Sequence, residues 1–233
     1  MRTFLISTAI GLLVNVSIVS ATAQRGDILR LNGEEYAIQT NPLEPHLDKY
    51  PEKRPPADIV STSLWRRYVA TWEVRDEQLF LVDVEILREK SGAEHFEAEL
   101  YSSMDTFFPG VSRVLASWFT GNIIIPRGEL LEYVHLDYAS TYEEYIVLAI
   151  REGRVLSERV MSSPEFLAFR EAQFRAYQRT DEYKARAEKL KDPGETDEEI
   201  EEFLFSAAAS RYLSLLQDSE SEETLPAKEV LSE

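Results

Sequence analysis

The chain has 233 residues and no cysteine, 44% of its residues are hydrophobic and 29% are charged, and its formal net charge at pH 7 is −17. This composition is typical of a globular protein and excludes a disordered, fibrous or disulfide-stapled chain. The acidic balance argues against nucleic acid as a partner, because neutralising phosphates requires clustered Lys and Arg side chains. Thirteen acidic residues lie between 192 and 233, against two basic ones, so the body of the chain is only mildly acidic.

The N-terminus has the layout of a secretory signal peptide. Arg2 precedes a mostly apolar stretch over residues 4–19, and Ala21 and Ala23 stand at the −3 and −1 positions of a small-residue cleavage site. We therefore predict a signal peptide over residues 1–23, cleavage after Ala23, and a periplasmic or secreted protein without a membrane span. The alternative is an uncleaved anchor helix, which needs roughly 20 apolar residues.

The first predicted element after the signal is a β-hairpin over residues 27–39. Its strands flank Asn32-Gly33, the dipeptide that most favours a tight two-residue turn. Five prolines follow between residues 42 and 56 and predict a loop that contains neither a helix nor a central strand.

Two strong antiparallel strands are predicted between residues 65 and 87, on either side of a turn at residues 75–78. Hydrophobic side chains alternate along both, which is typical of strands that bury one face. The predicted buried face consists of Tyr68, Ala70, Trp72 and Val74 on the first strand and Phe80, Val82, Val84 and Ile86 on the second.

Residues 92–120 are ambiguous between helix and strand, and strand patterns return after them. The predicted strands cover residues 122–125, 133–138, 144–151 and 154–160. The last two form a hairpin across Glu152-Gly153, which is a tight-turn sequence.

After residue 161 the apolar spacing becomes helical. A helix start at residues 162–165 predicts a helix to about residue 191, with a break near Thr180. A second helix begins with the capping box Thr196 to Glu199.

These elements predict an α+β fold: a mostly antiparallel β-sheet, as a sandwich or an open barrel, followed by two C-terminal helices. We expect a single globular domain over residues 24–217, β-rich over 24–161 and helical over 162–217. Residues 218–233 have the composition of a disordered acidic tail.

A set of short motifs lies within residues 27–155. The motifs are Asn41-Pro42-Leu43-Glu44, Tyr50-Pro51, Arg54-Pro55, the run from Ser61 to Glu73, Trp118-Phe119-Thr120-Gly121, Ile125-Pro126-Arg127-Gly128 and Tyr133-Val134-His135. In these residues the chain resembles a group of uncharacterised exported bacterial proteins, in which glycine often stands at the position of Arg67. The resemblance implies a bacterial, exported setting and implies no activity.

The first candidate site lies in the predicted strand over residues 133–138. The sequence has no common catalytic motif, and its only histidines are His46, His95 and His135. In a strand, Tyr133, His135 and Asp137 share the polar face, where imidazole and carboxylate would act as a base and its orienting partner or as two metal ligands. The alternative is a histidine that is hydrogen-bonded on a polar sheet face. No third ligand has a recognisable spacing, so we predict neither a metal nor a cofactor.

The second candidate site surrounds the start of the strand at residue 65. Trp65, Arg66, Arg67 and Glu73 combine aromatic and charged side chains, which are the ingredients of binding hot spots and sugar-stacking platforms. The alternative is a set of core aromatics with Arg67 and Glu73 as an exposed pair of small energetic value.

The leading functional hypothesis is an exported bacterial β-rich protein that binds an unknown protein, a small molecule or a carbohydrate. The alternative is a periplasmic or secreted hydrolase that uses His135, Asp137 and an unidentified acid. A third hypothesis, neutralisation of an exported toxin, fits an acidic exported domain.

Overall fold

The computed structural model of the chain describes residues 25–55, 64–90, 97–191 and 196–216. The predicted signal peptide, the predicted acidic tail and His95 lie outside the described residues.

The described residues form nine strands, six α-helices and a short 3₁₀ helix at Pro51–Lys53. The strands are β1 (Asp27–Leu31), β2 (Glu34–Ile38), β3 (Tyr68–Arg75), β4 (Gln78–Glu89), β5 (Ala98–Ser102), β6 (Val114–Leu115), β7 (Gly121–Glu132), β8 (Thr141–Arg151) and β9 (Arg154–Ser162). The helices are α1 (Glu44–Lys49), α2 (Met104–Phe107), α3 (Ser163–Tyr177), α4 (Asp181–Leu190), α5 (Asp197–Ala207) and α6 (Ala209–Tyr212).

All nine strands belong to one sheet, in which the main order is β2-β1-β3-β4-β9-β8-β7, and β5 and β6 both pair with β4. The pairing is antiparallel except between β1 and β3, which run parallel. The sheet curls so that its two outer strands, β2 and β7, approach each other. The backbone N–H of Gln39, just after β2, donates to the carbonyl of Ile124 in β7 at 2.8 Å. The predicted α+β class is therefore confirmed, and the sheet has the form of an open barrel.

The predicted tight hairpins are both present. Asn32 and Gly33 have φ angles of 53° and 86°, and Glu152 and Gly153 have φ angles of 50° and 78°. Two consecutive residues in the left-handed region define the turn whose twist matches that of paired strands.

The predicted face of β3 is buried. The predicted buried face of β4 is wrong for the first half of that strand. Thr71 pairs with Asp83 and Trp72 with Leu81, so Val82 is an extra residue in β4. Such a bulge shifts the alternation by one position. Leu79 and Leu81 therefore lie in the core ahead of the bulge, in place of the predicted Phe80 and Val82.

The proline-rich segment contains α1, which corrects the prediction of a loop without a helix. Pro45 stands in the first turn of α1. At that position a proline is tolerated, because the first backbone N–H groups of a helix have no intrahelical acceptor.

Strand β8 separates two hydrophobic cores. Ile146, Leu148 and Ile150 point into the barrel, where they pack with residues of β1, β3, β4 and β7. Tyr145 and Val147 point outward into a second core. This outer core contains the apolar faces of α3, α5 and α6, so the helices cover one side of the barrel.

The helical region begins and breaks where its capping residues predict. The Ser162 N–H donates to the carboxylate of Glu165 at 2.8 Å at the start of α3. The break near Thr180 is confirmed, since the Thr180 hydroxyl accepts from the N–H of Tyr183 and caps α4. The capping box of Thr196 and Glu199 begins α5, and the short helix α6 follows it.

Candidate functional site

Residues 133–138 form a turn after β7, which corrects the predicted strand. Asp137 has a φ of 44°, in the left-handed region, where a strand cannot continue. The Ser140 hydroxyl closes the turn by accepting from the N–H of Val134 at 3.0 Å and donating to its carbonyl at 3.1 Å. The alternation of apolar residues predicts a strand here. The hydrogen bonds of the Ser140 hydroxyl and the left-handed backbone of Asp137 instead reverse the direction of the chain within a few residues.

In this turn the two predicted catalytic residues, His135 and Asp137, bind different partners. Nδ1 of His135 lies 3.0 Å from the hydroxyl of the exposed Tyr133. The carboxylate of Asp137 instead accepts from the backbone N–H of Ser210 at 2.6 Å. Burial raises the pKa of Asp137, and the hydrogen bonds from Ser210 oppose that shift. Across the described ranges no hydrogen bond joins His135 to Asp137, so the geometry does not assemble a base with its orienting partner.

Arg66, predicted as a binding residue, is buried with its own counter-ion. Its guanidinium donates to the carboxylate of Asp27 at 2.8 Å, and both side chains are 0% exposed. The same carboxylate accepts from the Trp72 indole at 3.0 Å and from the Ala70 N–H at 3.1 Å. A second guanidinium nitrogen of Arg66 donates to the carbonyl of Arg25 at 2.7 Å. Arg66 therefore holds the barrel together and does not face a ligand.

Arg67 and Glu73 are not the pair that the sequence suggested. Arg67 has a φ of 68°, a conformation that glycine adopts without strain. Its side chain donates to the carbonyl of Pro55 at 3.3 Å. Glu73 forms an ion pair with Arg113 at 2.7 Å.

Trp65 alone among the predicted binding residues lies at a cleft. Its side chain is 51% exposed, although tryptophan is usually well covered. It borders a cavity of about 90 Å³ between the end of the barrel and the helical layer. The cavity is lined by Asn41, Glu44, Pro45, Asp48, Trp65, Phe119, Thr120, Ser210, Arg211 and Ser214, which we call the Trp65 cleft.

The barrel side of the Trp65 cleft is held by a charge network on α1. The buried carboxylate of Glu44 accepts two bonds from Arg54, at 3.0 and 3.2 Å, and one from the Tyr68 hydroxyl at 2.8 Å. Burial raises the pKa of Tyr68 well above its ordinary value, so this phenol stays protonated and donates. Arg54 also binds Asp48 at 2.8 Å, and the Asp48 side chain is 58% exposed.

The helical side of the cleft is fixed by contacts between distant segments. Asp137 binds the N–H of Ser210, as described above, and so anchors the start of α6. The N–H of Asn122 in β7 donates to the carbonyl of Ser214 at 2.9 Å. A side chain at Gly121 would collide with that carbonyl, so glycine permits the close approach of the barrel and the helical layer.

Sequence reasoning identified Trp65 but missed most of the cleft. Asn41, Glu44, Phe119 and Thr120 are cleft residues that also belong to the motifs carrying the resemblance. That shared membership was the available signal. The remaining polar lining, from α1 and α6, is brought there only by folding.

The remaining described histidine, His46, has a structural environment. Its ring packs against Tyr50, Phe108 and Trp118, with centroid distances of 4.7 to 5.1 Å. Burial, followed by the charges of Lys53 and Lys49, lowers its pKa. The described part of the chain contains no group of three or more His, Asp or Glu side chains arranged to hold a metal ion.

Comparison with protein-family models, with curated proteins and with solved structures finds no match for this chain. Among the helices formed by the described residues, none combines the length and apolar character needed to cross a membrane. The Trp65 cleft is therefore the feature of the molecule from which a function can be inferred.

Proposed function

We propose that this protein is an exported bacterial binding protein whose Trp65 cleft binds a carbohydrate. The observation that carries the proposal is the half-exposed indole of Trp65 beside a cavity lined by hydroxyl, amide and carboxylate groups. Sugars present an apolar ring face and polar edges, so an aromatic platform next to hydrogen-bonding groups matches both parts.

The charge balance of the cleft supports a neutral, hydroxyl-rich ligand. Glu44 and Asp48 are offset by Arg54, and Arg211 lies on the opposite side of the cavity. Because carboxylates and guanidinium groups stand at the same site, a strongly charged ligand of either sign meets repulsion from one of them. Sugar hydroxyls, in contrast, donate to carboxylates and accept from guanidinium groups.

The size of the cavity supports recognition of one end of a ligand. A volume of about 90 Å³ accommodates a few water-sized groups. A single sugar ring that stacks on Trp65 would place one polar edge in the cavity, and further units of a glycan would extend into solvent.

A glycan-array screen of the full mature chain first identifies the ligand class among oligosaccharides of the N-acetylglucosamine, cellobiose and maltose series. Isothermal titration calorimetry with the glycans that bind then tests the proposal. We expect Trp65→Ala to weaken binding by about 30-fold, as for a central aromatic anchor. Trp65→Phe should retain part of the affinity, because a smaller ring still offers an apolar face.

Tyr133→Ala is the matched control, since Tyr133 is also a 51% exposed aromatic residue but does not line the cleft. It should leave the affinity within a factor of two. The proposal is wrong if the array and the titrations detect no glycan, or if Tyr133→Ala weakens binding as much as Trp65→Ala.

The exported location is part of the same proposal and has its own test. The apolar stretch and the small residues before Gln24 support cleavage after Ala23. N-terminal sequencing of the exported product should begin at Gln24. A product that begins at Met1 contradicts this part of the proposal.

A further inference from the structure

A second concave surface lies between two helices on the side away from the barrel interior. Helix α3 and its C-cap contribute Glu171, Phe174, Arg175 and Gln178, and α5 contributes Glu198, Glu201, Glu202 and Phe205. Each set has the spacing i, i+3, i+4, i+7, which is one face of a helix over two turns. The two faces enclose about 420 Å³, and we call this surface the α3–α5 groove.

The floor of the α3–α5 groove is aromatic. The rings of Phe174 and Phe205 meet edge to face with centroids 5.1 Å apart. Phe205 is only partly buried, and the Arg170 guanidinium lies 4.4 Å from its ring centroid on the protein side. Phe174 is only 4% exposed, so the apolar surface that the groove offers to a side chain from outside belongs mainly to Phe205.

The rim of the groove is acidic. Glu198, Glu201 and Glu202 are exposed on α5, and within the described ranges they form no ion pair. Across the groove, Arg175 stands 3.7 Å from Glu171 and is offset by it. The groove thus has a net negative rim around an apolar floor.

We propose that the α3–α5 groove binds a basic amphipathic helix of a partner protein. An amphipathic helix places anchors at i, i+3, i+4 and i+7 on one face, which is the spacing of the two faces that form the groove. Its apolar residues would pack on the partly buried Phe205, which Phe174 supports from below, and its Lys or Arg residues would face the glutamates of α5. Charge complementarity of this kind raises the association rate and selects the partner.

The chain's own C-terminal segment has the wrong charge for this groove. Residues 217–233 contain six acidic residues and one lysine, so the glutamates of the rim would repel them. Two copies that meet groove to groove would place acidic rims against each other. An external basic segment is the occupant that both charge arguments favour.

The test uses the full mature chain and a fluorescein-labelled 15-residue peptide of leucine and lysine in amphipathic helical order. Fluorescence anisotropy should show saturable binding, and a peptide with glutamate in place of every lysine should not bind. A third peptide, with serine in place of leucine, keeps the charge and should bind at least tenfold more weakly, because it lacks the apolar anchors.

The protein variant Glu201→Lys/Glu202→Lys should weaken binding of the leucine–lysine peptide at least tenfold. The control variant Glu129→Lys/Glu158→Lys makes the same change in net charge at exposed residues away from the groove and should leave the affinity within a factor of two. Circular dichroism confirms that both variants are folded.

Equal binding of the leucine and serine peptides would overturn the proposal, as would equal weakening by the two double variants, since either result means general attraction to an acidic protein. Sedimentation velocity of the parent chain and of Glu201→Lys/Glu202→Lys then measures self-association. Self-association that Glu201→Lys/Glu202→Lys abolishes would assign the groove to a second copy and also overturn the proposal.

Discussion

Two buried arginines, Arg66 in the barrel and Arg170 in the helical layer, have partners that differ in charge. Arg66, next to Trp65 in the chain, is paired with the carboxylate of Asp27. Arg170, on α3, donates only to neutral acceptors: the Tyr212 hydroxyl at 2.7 Å, the Ala139 carbonyl at 3.0 Å and the Phe205 carbonyl at 3.1 Å.

This difference shows how the barrel and the helical layer are each held together. The pair of Arg66 and Asp27 has no net charge and connects β1 with β3 through the bonds to Trp72 and Ala70. Arg170 instead connects three separate segments, namely the β7–β8 connection, the end of α5 and α6. Loss of Asp27 should therefore damage the whole barrel, whereas loss of Arg170 should loosen the helical layer.

The largest effect is expected for Asp27→Asn. The amide keeps one acceptor oxygen, which serves either the Ala70 donor or the Trp72 donor but not both, and it leaves the buried charge of Arg66 without a counter-ion. Breaking a buried ion pair by removing one partner costs about 3–5 kcal/mol. Urea unfolding followed by circular dichroism measures this loss in the free energy of unfolding.

The double variant Asp27→Asn/Arg66→Met sharpens this test, because it removes the stranded charge. It should recover part of the lost stability. If the double variant is less stable than Asp27→Asn, the penalty does not arise from an unpaired guanidinium.

A smaller, local effect is expected for Arg170→Met. The variant loses three hydrogen bonds, and the Ala139 carbonyl is left without this donor, so we expect a loss of about 2 kcal/mol. Native-state hydrogen exchange should accelerate in α5 and α6 more than in β8 and β9, because the helical layer opens before the barrel does.

Arg175→Met is the matched control on the same helix. Arg175 is exposed, and its ion pair among the described residues is with Glu171, so the free energy of unfolding of Arg175→Met should differ from that of the parent by less than about 0.5 kcal/mol. Uniform acceleration of exchange in the barrel and the helices of Arg170→Met would contradict the division between the two sides.

The smallest effect is expected for Asp137→Asn, which concerns the helical side of the cleft. Asparagine tolerates the left-handed φ of 44° and still offers an oxygen to the Ser210 N–H. The free energy of unfolding at pH 7 should equal or slightly exceed that of the parent, within about 1 kcal/mol. Asp137→Ala should be less stable than both.

The pH dependence of that comparison follows from the raised pKa of Asp137. As the pH falls through the folded pKa, the native state binds a proton before the unfolded state does, so the penalty for burying the charge disappears. The parent should therefore gain stability relative to Asp137→Asn on acidification, until the pH falls below the unfolded value of about 3.9. Parallel denaturation curves from pH 7 to pH 4 measure this, and a constant difference would contradict it.

Elements specified by neighbouring residues could be predicted from the sequence. The Asn32-Gly33 and Glu152-Gly153 turns, the alternating face of β3 and the cap at Thr180 each depend on contacts within a few positions. Helix α1 is not predicted, because five prolines between residues 42 and 56 disfavour a helix, whereas Pro45 lies in the first turn, where proline is tolerated.

Features that depend on distant pairing could not be predicted. The bulge at Val82 is visible only in the register with β3. The turn at residues 133–138 has the apolar alternation of a strand, and a local pattern does not distinguish the two. The predicted pairing of His135 with Asp137 is absent for the same reason: two positions along the chain separate them, but Asp137 binds Ser210, 73 residues away.

The α+β class, the antiparallel hairpins, the helical C-terminal region and the candidacy of Trp65 as a binding residue could all be predicted from the order of residues. Hydrophobic period and turn chemistry are local quantities, so the order of residues specifies them directly. Tertiary contacts alone show that Arg66 is buried in an ion pair with Asp27, whereas its neighbour Trp65 borders a polar cleft. Burial and hydrogen-bond partners depend on which distant segments the curled sheet and the helices that cover it bring together.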